Sequence, residues 1–261
     1  MPLDGAFLSS VASLHSPGMG TEHVALVLYS LVRTVRPRRL LEIGAGKTTP
    51  YLLQALADNV ADHKAEAVGL AAKTAAYERA TRKKRSPSAK MQWADTYPEL
   101  ANPAYYVADY EPALHVFEIS EPHAAAILGV VADLGLEHLL RLHRCDFRGE
   151  SRRLSDSGGA IDFAWLDCGG YEEYLAFFEE YWPLINDDNG VLVMHYTISN
   201  PLIGHIVKDL KLKQATTHFN DFELLSFIEP HKFRQNSFTI VRRTAGFRDD
   251  LTLVSRALQH L

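Results

Sequence analysis

Short apolar runs that each close on an acid or a histidine set the architecture of this chain. They are Arg39 to Ile43 with Glu42, Ala113 to Phe117 before Glu118, Leu139 to Leu142 and onward to Cys145-Asp146, Ile161 to Leu166 before Asp167, and Val191 to Met194 before His195. Such runs, apolar without strict alternation, mark strands buried on both faces. Helical patterns separate them. Thr21 to Arg33 carries a stripe of Val24, Leu26, Val27, Leu28, Leu31 and Val32 behind a Thr21 N-cap. Thr48 to Asn59 and Ala65 to Arg82 read as two further helices. Ser120 and Pro122 start another that runs through Leu134, and Tyr171 to Trp182 and Pro201 to Lys213 complete the set. Phe222 to Ile228 and Ser237 to Val241 read as a closing pair of strands. Strands alternating with helices predict an α/β domain, a mostly parallel sheet with helices on both faces. Ligands in such sheets sit beyond the carboxyl ends of the strands. Glu42, Glu118, Asp146, Asp167 and His195 therefore point to one candidate site.

The first strand leads into Gly44-Ala45-Gly46-Lys47-Thr48, which supports two readings. As the end of a P-loop it would cradle a nucleotide triphosphate. That motif needs a glycine five residues before Gly46, and Leu41 stands there inside the apolar run. Glu42 would also repel phosphate. The alternative is a strand-end carboxylate followed by a short glycine turn, which lets backbone pass close to an uncharged or cationic ligand. The dinucleotide fingerprint fails too, since its third glycine falls at Thr49 and no acid closes a strand about 20 residues on. Lys47, and the imitation of a Walker B strand by Phe163 to Asp167, keep nucleotide binding open as the rival.

At 261 residues, 47% hydrophobic and 23% charged, the chain reads as one soluble globular domain with a substantial core. Its net charge of -5 argues against a nucleic-acid partner. The one basic cluster, Arg79, Arg82, Lys83, Lys84 and Arg85, reads as a solvated helix end. Two cysteines, Cys145 and Cys168, give no disulfide framework and suit a reducing cytoplasm. No signal peptide and no apolar stretch of membrane-spanning length are evident.

From Thr21 to Arg243 these features resemble the class I S-adenosylmethionine (SAM)-dependent methyltransferases. Leu41-Glu42-Ile43-Gly44-Ala45-Gly46 is similar to the family's first motif, and Ala113 to Glu118 to its second strand. Cys145-Asp146-Phe147 resembles its third, and Phe163 to Asp167 with Gly169-Gly170-Tyr171 its fourth. The helix before the first strand and the Leu-Asp-Cys-Gly-Gly-Tyr segment look most like small-molecule O-methyltransferases. The resemblance implies a Rossmann-like seven-stranded sheet whose last strand runs antiparallel. It also implies a SAM site drawn from Glu42, Gly44, Gly46, Thr48, Glu118, Asp146 and Asp167. Glu42 would attract the methionine end, Glu118 grip the ribose hydroxyls and Asp146 face the adenine amino group.

Two departures from the family pattern stand out. Glu118 lies about 70 residues beyond Gly46 rather than about 20, so an insertion occupies approximately residues 62–112. Its Trp93, Tyr97, Tyr105, Tyr106 and Tyr110 either pack it onto the sheet edge or build a lid or substrate wall. Metal-dependent members also follow their fifth strand with an Asp-Asn pair, where this chain has His195-Tyr196. Mg²⁺ prefers oxygen ligands, so no Mg²⁺ site is expected. A softer metal at Asp167 and His195 remains an option.

Methyl transfer needs alignment and, for a protonated nucleophile, a base. His195 is the base candidate, with Asp167 as its orienting partner or as a substrate ligand; a strand-end histidine bonded to backbone is the plain alternative. Tyr105, Tyr106, Tyr196 and His231 are the substrate candidates. His231, Lys232, Arg234 and Asn236 either cap the last turn or touch substrate, and residues 16–20 either close over the cofactor or form a flexible turn. Cys145 and Cys168 read as fillers. The expected activity is methylation of an oxygen or nitrogen of a small molecule. A catalytically silent, partner-binding member of the fold is a further alternative. The oligomeric state stays open, a homodimer included.

Overall fold

The computed structural model describes residues 3–16, 18–82, 97–98, 101–155, 158–216 and 221–244. The strands are β1 (Arg39–Ile43), β2 (Ala113–Phe117), β3 (Leu140–His143), β4 (Phe163–Leu166), β5 (Asp188–His195), β6 (Phe222–Ile228) and β7 (Ser237–Thr244). They form one seven-stranded sheet in the order β3-β2-β1-β4-β5-β7-β6. β1 to β5 pair in parallel, while β7 runs antiparallel to both β5 and β6. The expected architecture is present, antiparallel last strand included.

Helices α1 (Gly5–Val11), α2 (Val24–Val35), α3 (Thr48–Arg82), α4 (Glu121–Asp133), α5 (Arg152–Ser155), α6 (Tyr171–Glu180) and α7 (Pro201–Thr216) surround the sheet. Two cores follow from the strand pleat. Leu40, Phe163, Trp165, Val191 and Val193 face α2, α3 and α4 through Leu28, Val32, Leu52, Leu56, Ile127 and Val131. Leu41, Ile43, Ala164, Leu166, Leu192 and Met194 face α6 and α7 through Tyr174, Phe177, Ile203 and Val207. The apolar runs of β1, β4 and β5 are thus covered on both faces, which is why they do not alternate with polar residues.

Several boundaries differ from the sequence expectation. Helix α2 starts at Val24 and ends on Arg36, a left-handed C-cap with φ 50° whose N–H bonds the Val32 carbonyl at 3.0 Å. The two expected helices over 48–59 and 65–82 are one 35-residue helix. Between them lie Val60, Ala61, Asp62, His63 and Lys64, with no proline or glycine to stop the helix. Strand β5 begins earlier than Val191 and β7 ends later than Val241, because Asp188 and Thr244 pair across the ladder. Ile161 makes only an isolated bridge, to Ile185. Helix α1, with no counterpart in the sequence reading, packs Phe7 edge-on against Tyr51 at 5.0 Å.

The described part of the 62–112 insertion lies at the end where β1 begins. His63 is buried among the rings of Tyr105, Tyr106 and Tyr110. The Tyr110 hydroxyl donates to the Pro37 carbonyl at 2.7 Å, and the Tyr106 hydroxyl to Glu66 at 2.9 Å. Trp93 and Lys83, Lys84 and Arg85 fall outside the described residues, and Arg79 is solvent-exposed. Among the described residues no helix is long and apolar enough to cross a membrane.

Candidate active site

The carboxyl ends of β1, β2, β4 and β5 open into a cleft of about 760 Å³, lined by Gly44, Glu118, Asp146, Asp167 and Tyr196 among others. The β1 turn makes it by close packing. Gly44 has φ +88°, and a Cβ there would run into the Asp167 carbonyl. Only glycine satisfies both conditions. The Gly44 N–H donates to the Phe117 carbonyl at 3.0 Å, tying the turn to β2.

Glu118 is the best-fixed carboxylate of the cleft. Its Oε1 accepts from the Ser120 N–H at 2.6 Å and its Oε2 from the Ala45 N–H at 3.0 Å. Each oxygen keeps a further lone pair, so the group remains able to accept two hydroxyls from a ligand. Asp146 is held differently. Arg148 donates to it from its backbone N–H at 3.0 Å and from Nε at 3.0 Å, and this guanidinium keeps the Asp146 carboxyl below its ordinary range.

Glu42, Gly46 and Thr48, expected among the cofactor ligands, do not line the cleft. Glu42 is fully buried beneath the turn and accepts from the Thr48 hydroxyl at 2.6 Å. Burial pushes its pKa up to about 8, against the pull of hydrogen bonds from Thr48 and Thr49. A carboxyl raised this far is mostly neutral near pH 7, which weakens the direct attraction it can exert on a cation. The Gly46 N–H is taken by the Thr49 hydroxyl at 3.1 Å. A P-loop requires the hydroxyl of the threonine after its lysine, here Thr48, for a phosphate-bound metal and the loop amides for phosphate. Here Thr48 donates to Glu42 instead, which argues against the nucleotide reading.

Asp167 and His195 come together as expected, with His195 Nδ1 2.8 Å from Asp167 Oδ1. The expected base role meets an obstacle, however. His195 is 1% exposed, its Nε2 is buried with no protein partner, and it is absent from the cleft wall. A base must reach the proton it removes, whereas here the imidazole stands behind Asp167. Tyr196 does line the cleft, but its hydroxyl donates to the carbonyls of Cys168 at 2.9 Å and Gly169 at 2.5 Å. Burial and Asp167 push that phenol above its ordinary range. Among the described residues Asp167 joins no group of three His, Cys, Asp or Glu donors close enough to share an ion. Burial also pushes both cysteine thiols, Cys145 and Cys168, up, which disfavours the thiolate form a nucleophile needs.

Of the substrate candidates, Tyr105 and Tyr106 are at the far end of the sheet, packed on His63 and outside the cleft wall. His231 stands outside the wall as well, against His23. Its neighbours do reach the cleft. Residues 18–23 and the β6–β7 turn meet at the mouth, where Lys232 Nζ donates to the Gly20 carbonyl at 2.8 Å and to Glu229 Oε2 at 2.8 Å. The Asn236 amide donates to the Lys232 carbonyl at 3.0 Å, closing the turn. Met19, Phe233, Arg234 and Gln235 from these two segments, with Ile119, complete the rim. Phe233 is 93% exposed and Ile119 77%. The sequence reading missed Arg148, Ile119 and Phe233, all in loops. Only the position of Arg148, two residues after Asp146 in the loop that follows β3, offered a signal.

Comparison with known proteins places this geometry. The profile described as "Methyltransferase domain" matches residues 41–197, more than half of the chain. An O-methyltransferase of tomaymycin synthesis from Streptomyces achromogenes, solved with SAM, shares 15% identity over 92% of this chain and 90% of its own, with a TM-score of 0.58. An O-methyltransferase from Bacillus cereus, solved with S-adenosylhomocysteine (SAH), shares 14% identity over 92% and 91%, also at 0.58. SAH-bound PaMTH1 from Podospora anserina shares 11% over 92% and 88%, at 0.54. No curated protein matches in sequence. These solved structures share the fold, and the profile spans β1 to the end of β5 with every cleft-lining strand end between them. The chain belongs to the methyltransferase-domain family.

Proposed function

We propose that this protein transfers a methyl group from SAM to an oxygen or nitrogen of a small molecule. The observation that carries the reading is the convergence of Gly44, Glu118, Asp146 and Asp167 on one cleft at the carboxyl edge of the sheet. The residues fit the cofactor: Glu118 holds two acceptor positions in place for ribose hydroxyls, and Asp146, anchored by Arg148, offers an acceptor for an amino group. The volume suits a ligand of this size. When bound, SAM supplies an electrophilic methyl group on a sulfonium. The chain's own part is alignment, exclusion of water by the Met19 and Phe233 rim, and proton handling. Asp167 Oδ1 is engaged by His195, which directs Oδ2 to receive a hydrogen bond, or the proton, of the acceptor's O–H or N–H. His195 is thus a positioning residue.

Calorimetric titration with SAM, SAH and ATP tests the reading. SAM and SAH are expected to bind with micromolar Kd, about -8 kcal/mol. Glu118→Ala should weaken both by roughly tenfold or more, as expected from loss of charge-assisted hydrogen bonds. Tight ATP binding without SAM binding would overturn the assignment. With an acceptor in hand, His195→Ala should lower kcat and leave SAM affinity nearly unchanged. His195→Asn, whose amide nitrogen can stand in for Nδ1, should recover part of the loss.

A further inference from the structure

We propose that His23, Glu229 and His231 form a site for a divalent transition metal that clips residues 18–23 to the β6–β7 turn at the mouth of the cleft. One donor atom from each residue lies within 4.8 Å of the others. His23 Nδ1 is 3.0 Å from Glu229 Oε1 and 3.2 Å from His231 Nε2. Donors bound to one ion at about 2.0–2.1 Å in a tetrahedron stand roughly 3.3 Å apart, so these side chains need only small shifts to share a metal.

Among these three atoms no single tautomer makes both contacts simple hydrogen bonds, whereas one cation can bind all three. If His23 Nδ1 carries the proton it donates to Glu229, and His231 Nε2 is left with a lone pair directed at an occupied donor. If His231 Nε2 carries it, the lone pairs of His23 Nδ1 and Glu229 Oε1 oppose each other at 3.0 Å. One dication satisfies all three atoms as acceptors.

The surroundings also suit it. Lys232 holds the other carboxylate oxygen, Glu229 Oε2, at 2.8 Å, which turns Oε1 towards the imidazoles as an outer-shell partner does. Glu22 lies 3.3 Å from Lys232 and offsets its charge. With both imidazoles neutral, Glu22, Glu229 and Lys232 leave one net negative charge facing the ion. Two imidazoles and a carboxylate select Zn²⁺ or its neighbours over Mg²⁺ or Ca²⁺.

The consequence is mechanical. His23 and His231 are 208 residues apart in sequence, and each lies next to a segment that reaches the rim, Met19 on one side and Phe233 to Gln235 on the other. A shared ion would hold the two segments together over the cleft. This site does not depend on the identity of the cofactor.

The test uses the full chain after chelator treatment, titrated with Co²⁺ and Zn²⁺. One ion per chain is expected, with Co²⁺ giving visible absorption of a low-coordinate nitrogen–oxygen site and Mg²⁺ failing to compete. Loss of outer-shell partners alone weakens metal sites by about 10–100-fold, so His23→Ala and His231→Ala should each weaken binding about 100-fold or more. His138→Ala, an exposed histidine elsewhere, should bind as the unsubstituted chain does. Zn²⁺ should raise the Tm of the unsubstituted chain and not of the two variants, and far-UV circular dichroism checks that both variants are folded. Absence of binding, or equal affinity in a folded His231→Ala chain, would overturn the proposal.

Discussion

Glu42 is the residue at which sequence and environment conflict most. It sits in the second-last position of β1, opposite Trp165, with one oxygen bonded to Thr48 and the other, Oε2, buried without a protein partner. Its ordinary pKa of 4.5 rises to about 8, from burial first and the nearby Asp167 and Glu118 last. The folded state therefore binds this proton more tightly than the unfolded chain. The stability it supplies is full below pH 4.5 and is lost as pH rises through about 8. Glu42→Gln keeps the shape and an acceptor for Thr48 but carries no charge. Its stability relative to the unsubstituted chain should increase between about pH 5 and 9, by roughly 3–5 kcal/mol at the alkaline end. Denaturant titrations at both ends of that range would measure it, and parallel pH profiles for the two proteins would contradict it. The acid was legible in the sequence as the end of a strand. Its neutrality was not, because desolvation depends on the tertiary packing that buries it completely.

At the scale of elements, strands were easier to read than helices. β1, β2 and β4 are short apolar runs whose ends coincide with a chemical change, so Gly44, Glu118 and Asp167 could be placed in register from sequence. α3 was divided in two because its second half, rich in Ala and Lys, has no apolar period of its own. Its stability comes from contacts the sequence hides. Arg36, the left-handed cap of α2, donates to Glu66 of α3 at 2.5 and 2.7 Å, and Tyr106 adds a third bond to the same carboxylate. Arg36→Gly sets two effects against each other. Relief of the left-handed conformation gains about 1 kcal/mol. Leaving a partly buried carboxylate without its bidentate partner costs about 2–3 kcal/mol after allowance for solvent screening. The variant should be destabilised by about 1–2 kcal/mol. Adding Glu66→Gln should restore part of that, and thermal unfolding of the single and double variants decides it. A single variant more stable than the parent would show the cap strain to dominate.

Across the whole molecule, the site is assembled from sequence-distant pieces, and this limits what could be read in advance. The floor comes from strand ends whose order the alternating pattern implies. The mouth comes from residues 18–23 meeting residues 229–236, a contact no local pattern announces. Gly20 is where they touch most closely: its φ is +71°, and a Cβ would lie 2.6 Å from the Gln235 carbonyl oxygen and 2.7 Å from the Gln235 Cβ. Gly20→Ala should strain this junction by about 1–2 kcal/mol and pry the rim open. Release of SAH should accelerate roughly fivefold to tenfold, as stopped-flow displacement would report, while Tm falls by only about 2–8 °C. An unchanged release rate would mean that the mouth does not govern ligand exit.

The order in which β7 enters the sheet has a consequence for biosynthesis. β7 is the last of the described strands in sequence yet lies between β5 and β6, so β6 lacks its β7 partner until Ser237–Thr244 has left the ribosome. Until then the nascent chain carries β5 as an open edge, its apolar Val191, Leu192, Val193 and Met194 beside unpaired backbone groups. Such edges recruit other strands. The interval between synthesis of β5 and of β7 is thus one in which an unpaired apolar edge can recruit other chains, and arrest or truncation within it would strand the chain in that state.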